Sequence, residues 1–285
     1  VKDESRIISG TASTEFGVAI ATGDLDGDGI PELAMGAPRA DDVAIDAGMV
    51  YLFDSVALES PVLNASNDAI ASVSGPTSST KAQAGTSLAF AGDIDNDGYN
   101  DLLIGAPYHD GAATNAGAVY LYYGQTSLNS TTSLEGSDRF EGTDINDRIG
   151  ESLGGYDVDG DGSSEIFIGA PKVDSTDIDA GTVYYLASGT WTGNNSADSE
   201  AIVSFDGTTA LDNLGEDFGI GDFDGDGLGD LIVGAPRNGL GGSNSGSAYL
   251  FMDIDSWTGA NTGSSADYVV TGSTTNQLLG TSMVV

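Results

Sequence analysis

Four stretches of this chain repeat one acidic pattern on a nearly fixed period, and that repetition limits the possible folds more than any other feature. They read Asp24-Leu-Asp-Gly-Asp-Gly-Ile-Pro-Glu32, Asp93-Ile-Asp-Asn-Asp-Gly-Tyr-Asn-Asp101, Asp157-Val-Asp-Gly-Asp-Gly-Ser-Ser-Glu165 and Asp222-Phe-Asp-Gly-Asp-Gly-Leu-Gly-Asp230. The first aspartates are 69, 64 and 65 residues apart (24 to 93, 93 to 157, 157 to 222). Such a period marks an array of supersecondary units, each carrying the same chemistry at the same place.

The chemistry is that of a hard cation held by oxygen. Calcium takes six to eight oxygen ligands at about 2.3–2.6 Å. Carboxylates at loop positions 1, 3 and 5 converge where the chain turns tightly: Asp24, Asp26 and Asp28; Asp93, Asp95 and Asp97; Asp157, Asp159 and Asp161; Asp222, Asp224 and Asp226. Position 6 is Gly in every copy, as a left-handed turn requires. Position 7 offers a backbone carbonyl, from Ile30, Tyr99, Ser163 and Leu228, and position 9 a closing carboxylate, from Glu32, Asp101, Glu165 and Asp230. An EF-hand opens the same way but needs Glu at position 12 between two helices. Position 12 here is Met35, Ile104, Ile168 and Val233, all apolar and inside an expected strand. Without a cation, four clustered carboxylates repel one another strongly. One calcium ion per loop is therefore expected, about four per chain, and magnesium, which keeps several waters, fits less well.

Short apolar strands surround each loop. A Gly-containing strand precedes it, starting at Phe16-Gly17, Gly85, Gly150 and Gly215; a strand ending in Gly-Ala-Pro follows, Leu33 to Pro38, Leu102 to Pro107, Ile166 to Pro171 and Leu231 to Pro236. A third strand begins at Gly48, Gly117, Gly181 and Gly246, with Tyr51, Tyr120, Tyr184 and Tyr249 three residues on. A weaker fourth strand is expected to end at Gly75, Gly136, Gly207 and Gly272. Strands rich in Val, Ile, Leu, Tyr and Phe, bounded by Gly, Pro, Asp and Asn, with no sustained helical period, predict an all-β array. Four antiparallel strands per unit predict β-propeller blades. The expected blades span roughly 16–75, 85–136, 150–207 and 215–272 in one propeller region, 1–285. Residues 6–10 read as a fourth strand with nothing before it and 279–285 as a first strand with nothing after it, so four complete blades within a larger propeller are expected.

Composition excludes several functions. Eight Lys and Arg face 44 Asp and Glu, a net charge of −36, so nucleic acid and anionic lipid are poor partners. The loops hold sixteen of those carboxylates, leaving 28 for an acidic surface suited to calcium-rich or saline fluid. There is no Cys, hence no disulfide and no thiolate chemistry, and no apolar run long enough for a membrane helix. The chain starts at Val1 with no signal-like segment, as a mature or excised piece does.

These residues together resemble the FG-GAP repeat of integrin alpha-subunit β-propellers and their bacterial and archaeal relatives. The resemblance rests on Phe16-Gly17, the Asp24–Glu32 loop and Gly36-Ala37-Pro38, recurring three more times in order. The Phe-Gly pair becomes Ala84-Gly85, Ile149-Gly150 and Leu214-Gly215 in the later copies. The resemblance implies calcium loops joining the first two strands of each blade of a typically seven-bladed propeller. The missing disulfides of animal members point to a microbial source. It implies an extracellular or cell-surface adhesion module, without catalysis, presenting loops to a protein or glycan. The alternatives are a lectin-like or enzyme-associated carbohydrate-binding propeller, and a surface-layer or filament subunit self-associating through open end strands. The remaining candidates are weaker. His109 is expected in an exposed loop. Trp191 and Trp257, at matching places, are expected to pack between blades in preference to stacking on sugar. Asn64, Asn129 and Asn194 open glycosylation sequons.

Overall fold

The computed structural model describes residues 7–11, 13–54, 62–128 and 131–283. Arg6, Asn129 and Val284–Val285 lie outside the described residues. The chain is all-β apart from isolated helical turns. In unit 1 the strands are β2 (Ile20–Gly23), β3 (Glu32–Ala37), β4 (Met49–Phe53) and β6 (Ala71–Ser74). Unit 2 has β7 (Ser87–Gly92), β8 (Asp101–Ala106), β9 (Ala118–Tyr122) and β11 (Arg139–Glu141). Unit 3 has β12 (Ser152–Tyr156), β13 (Glu165–Ala170), β14 (Thr182–Leu186) and β16 (Val203–Asp206). Unit 4 has β17 (Phe218–Gly221), β18 (Asp230–Ala235), β19 (Ser247–Phe251) and β21 (Tyr268–Thr271). Within each unit the four strands pair antiparallel in chain order, so each sheet is a meander with the acidic loop as its first turn.

A fifth strand joins most sheets in parallel and comes from the neighbouring unit. β10 (Thr131–Ser133) leaves unit 2 to pair with β6, β15 (Asn194–Ser196) leaves unit 3 to pair with β11, and β20 (Gly259–Thr262) leaves unit 4 to pair with β16. β5 (Val62–Asn64) of unit 1 pairs the same way with β1 (Ile7–Ser9), which thus takes a fourth strand's place ahead of unit 1. After β5 and β15 comes one helical turn, Ala65–Asp68 and Ala197–Glu200, whose first amides are capped by Asn64 and Ser196. Nothing in the alternation of three-residue segments such as Thr-Thr-Ser announces these strands; the neighbouring sheet edge supplies their partner.

The core lies between the sheets. The third strands are hydrophobic on both faces, and the period of two sorts their side chains. In β9, Ala118, Tyr120 and Tyr122 enter the cluster shared with Val50, Leu52 and Val73 of unit 1, whereas Val119 and Leu121 enter the cluster shared with Ile166, Ile168 and Tyr184 of unit 3. Trp191 sits edge-on to Phe140 of unit 2, ring centroids 4.9 Å apart, and Trp257 packs on Phe205 of unit 3 and Phe251 of its own unit, so both fill the seams between units.

Gly-Ala-Pro marks where neighbouring backbones touch. A Cβ on Gly36 would stand 2.0 Å from the Gly85 carbonyl oxygen, and one on Gly105 2.3 Å from that of Gly150. Each first-strand Gly is held by donating its amide to the second strand of its own unit, Gly85 N to Gly105 O at 2.9 Å. Gly280 stands against Gly234 in the same way, and Leu279 bridges to Gly246, so residues 279–280 take the place where a first strand enters, although no strand forms over 279–283.

Two local expectations are corrected. The fourth strand of unit 2 lies at Arg139–Glu141, beyond Gly136, and Gly142 takes the place of Gly75, Gly207 and Gly272; each of these glycines donates its amide to the glycine that opens the third strand. His109 is buried, 3% exposed. Its Nδ1 lies 3.3 Å from the Tyr120 hydroxyl and its Nε2 3.6 Å from Glu141 Oε1, which also accepts from Arg139 Nε at 2.6 Å. The hydrogen bond from His109 leads the effects that hold Glu141 below the usual carboxylate range, ahead of the opposing burial and the help of Arg139. A lowered folded pKa contributes stability that is complete above the ordinary carboxylate range and lost as pH falls through the lowered value.

Two outcomes follow. Glu141→Gln leaves the part-buried Arg139 without its anion and should cost about 1–3 kcal/mol in a denaturant titration; loss under 0.5 kcal/mol would contradict it. Gly105→Ala drives a methyl into the unit 2–unit 3 seam and should cost about 1–3 kcal/mol, read as a lowered melting temperature.

Candidate metal centres

Each loop is wound by its own carboxylates. In unit 1, Asp24 accepts the amides of Gly27 and Gly29 at 2.9 Å, Asp26 that of Asp28 at 3.2 Å, and Asp28 that of Ile30 at 2.8 Å. The other loops repeat this: Gly98, Gly162 and Gly227 donate to Asp93, Asp157 and Asp222, and Tyr99, Ser163 and Leu228 to Asp97, Asp161 and Asp226. The position-6 glycines have φ between +87° and +97°, the left-handed region that lets the amide turn back onto position 1.

The position-9 carboxylate fixes the loop to the sheet. It is the first residue of the second strand, it is buried in all four units, and it accepts the amide of loop position 2: Leu25 N to Glu32 at 2.8 Å, Ile94 N to Asp101 at 2.8 Å, Val158 N to Glu165 at 2.9 Å and Phe223 N to Asp230 at 2.7 Å. Its second oxygen often takes a further amide from the end of the third strand, Gly124 N to Asp101 at 2.9 Å and Asp253 N to Asp230 at 3.0 Å.

Positions 1, 3 and 9 come together in every loop: Asp24, Asp26 and Glu32; Asp93, Asp95 and Asp101; Asp157, Asp159 and Glu165; Asp222, Asp224 and Asp230. In each set one oxygen per residue lies within 4.8 Å of the others. The position-5 aspartates Asp28, Asp97, Asp161 and Asp226 stand outside these sets, each with an oxygen committed to the position-7 amide. Asp95 Oδ1 is buried without any hydrogen-bond partner in the protein. Burial, and then the neighbouring aspartates, push the Asp95 carboxyl up. Burial also raises Glu32 and Glu165, and it pushes Asp101 up to about 6. These hard, crowded carboxylates fit calcium in kind.

The loops adjoin one another. Ser164 N of loop 3 donates to Asp93 O of loop 2 at 2.8 Å, and Gly229 N of loop 4 to Val158 O of loop 3 at 3.2 Å. The Tyr99 ring of loop 2 covers Gly27 of loop 1, where a Cβ would meet it at 2.8 Å. The four sites therefore form one continuous belt. Reading the sequence one loop at a time does not reveal these links, nor the contribution of Gly124 and Asp253, which lie 23 residues beyond the carboxylates they touch.

The FG-GAP repeat family model matches residues 16–53, 84–122 and 214–251. Each matched segment runs from the first-strand Gly through the metal loop to the end of the third strand, and unit 3 repeats that plan. Three of the four units thus match the FG-GAP repeat. It is 33% identical to integrin alpha-PS5 of Drosophila melanogaster over 168 residues, 56% of this chain and 15% of that protein. It is 33% identical to integrin alpha-V of Gallus gallus over 164 residues, again 56% of this chain and 15% of the relative. Phosphatidylinositol-glycan-specific phospholipase D of Bos taurus is 29% identical over 171 residues, 58% of this chain and 20% of the relative. The chain thus spans a small part of the length of these relatives.

The raised Asp101 carboxyl gives a linkage with a definite sign. Its folded pKa lies above the ordinary carboxylate value, so the stability it brings is full below that value and lost as pH rises through about 6. Metal-free protein should therefore melt higher at about pH 5 than at about pH 7, and Asp101→Asn should flatten that difference. Saturating calcium should reverse the trend, because protons compete for the same oxygens. Calorimetry with and without chelator checks both; a calcium-saturated protein more stable at pH 5 would contradict the linkage.

Proposed function

We propose that the chain is a calcium-stabilised β-propeller region that works outside the cell as an adhesion or ligand-binding module, with no catalysis of its own. The observation that carries this is the fourfold belt of equivalent carboxylate sets, each anchored to the same strand by the same amide. The sheets pack face to face, each locked to the next by a parallel strand, as blades around an axis do. The integrin relatives support a protein ligand at a cell surface, and among the described residues no helix is long and apolar enough to cross a membrane.

In this reading one calcium ion sits in each loop. Asp24, Asp26, Asp28, Glu32 and the Ile30 carbonyl hold the first, with the matching residues of the other three loops holding the rest. The ion neutralises carboxylates that burial and mutual repulsion otherwise disfavour, so it acts as a folding ligand. Metal analysis of stripped and refilled protein should return about four calcium ions per chain. Each site saturated at about a hundred times its dissociation constant adds about 2.7 kcal/mol, so excess chelator should lower the melting temperature strongly. Asp95→Ala should remove one ion. A stoichiometry near one, selective zinc uptake or an unchanged melting curve would sink the proposal.

A second reading, assembly with another copy, is favoured by the edge of unit 4. Among the described residues β21 has no parallel partner, and Tyr268, Val269 and Val270 are 63%, 44% and 58% exposed, whereas Val73, Phe140 and Phe205 of the other fourth strands are fully buried. An exposed apolar strand edge is a template for pairing. Concentration-dependent association in light scattering, suppressed by Val270→Lys, is expected; a monodisperse species at all concentrations would exclude this reading.

A further inference from the structure

The seam between units 2 and 3 contains a cleft of about 280 Å³. It lies toward the end of the sheet away from the acidic loop, where Thr182 pairs with Ala170 and Asp206. Asp144, Asp147, Asp174, Asp198 and Asp206 line it, and no Lys, Arg or His does. Tyr184 of β14 lines it too. That residue is only 5% exposed, and among the described residues its hydroxyl has no hydrogen-bond partner.

Unit 2 shows what such a place holds when the chain fills it. Strand register makes the two units comparable: Arg139 stands opposite Tyr120 and Glu141 opposite Ala118, as Ser204 stands opposite Tyr184 and Asp206 opposite Thr182. His109 accepts the Gly117 amide as Val173 accepts that of Gly181. In unit 2 the Arg139 guanidinium lies 5.6 Å from the centre of the Tyr120 ring, Arg139 Nε donates to Glu141 at 2.6 Å, and His109 meets the Tyr120 hydroxyl. In unit 3 Ser204 and Val173 stand where Arg139 and His109 do, while the tyrosine and the acid remain. Room is gained and positive charge is lost. Asp206 accepts only the hydroxyls of Thr182 at 2.8 Å and Ser204 at 3.3 Å. Lys172 of the adjoining loop is held by Asp179 and Asn213. His109 and Arg139 keep Glu141 below the usual carboxylate range, whereas burial raises Asp206. A buried acid beside other acids is costly without a counter-ion.

We propose that this cleft binds a guanidinium group from outside the chain, seated against Tyr184 and paired with Asp206, in the place that Arg139 takes in unit 2. A planar guanidinium suits both partners, because it stacks on an aromatic face and forks onto a carboxylate. The volume is near the lower end of ligand pockets, about 300–1,000 Å³, so it suits one such group better than an oligosaccharide. None of these residues belongs to the acidic loops, so this site and the calcium sites stand or fall separately.

The test is calorimetric titration of the full chain, in calcium-containing buffer, with N-acetyl-L-arginine amide, its neutral citrulline analogue and a blocked Ala-Arg-Ala peptide. The arginine compound should bind at one saturable site, and the citrulline compound at least about tenfold more weakly. Comparable affinity of the peptide assigns the site to an arginine carried on a chain; loss of binding in the peptide assigns it to a free small guanidinium compound. Asp206→Asn should weaken binding about tenfold. Ser204→Arg installs the residue of unit 2 and should abolish binding without lowering the melting temperature. Asp177→Asn, an exposed acid of the adjoining loop outside the cleft, should leave binding unchanged. Equal affinity for the citrulline compound, binding unaltered in both Asp206→Asn and Ser204→Arg, or no saturable binding up to about 10 mM would overturn the proposal. A loss in Asp177→Asn as large as that in Asp206→Asn would also overturn it, since it would show general attraction to an acidic surface. The comparison of arginine with citrulline needs only the wild-type chain, so it decides even where a variant fails to fold.

Discussion

A single hydrogen bond, made four times, organises this molecule. The buried carboxylate that opens each second strand accepts the amide of loop position 2, seven residues earlier. That bond closes the loop, sets where the second strand begins, and holds one hard oxygen beside those of positions 1 and 3. Burial raises the cost of its charge, most clearly at Asp101. The amides offset part of this cost, and a cation among the three carboxylates would offset the remainder. Fold and candidate metal site therefore share the same atoms.

The units depend on one another as closely. Three of the hydrophobic clusters each draw on two neighbouring units, so units 2, 3 and 4 do not enclose a core alone. Gly-Ala-Pro keeps the backbones in contact, the parallel strands β10, β15 and β20 tie each unit to the one before, and backbone bonds between loops 2, 3 and 4 with the Tyr99 ring over Gly27 join the acidic loops into a belt. Polar detail varies inside this common frame. Position 2 after the Pro is Ala40, His109, Val173 and Asn238 in turn, and each takes different partners: His109 meets Tyr120 and Glu141, whereas Asn238 accepts from Ser247 at 2.9 Å.

The sequence by itself determined the repeat, the order of the four antiparallel strands in each unit, the convergence of the acids at loop positions 1, 3 and 9, and the glycines at the seams. All of these rest on short-range chemistry: carboxylates spaced to converge within nine residues, a left-handed Gly, and alternation within strands of five or six. Even so, the fourth strand of unit 2 is displaced from Gly136 to Arg139–Glu141, because Gly136 and Gly142 look alike in sequence and only the amide bond to Gly117 distinguishes them. The tertiary structure alone decided which segments cross to a neighbour, that His109 is buried, and that Asp253 stands beside the fourth loop. Each of those depends on a partner more than twenty residues away, or in another unit, and a weak local signal such as Thr-Thr-Ser or a lone His acquires its meaning only from the sheet edge or the anion that meets it.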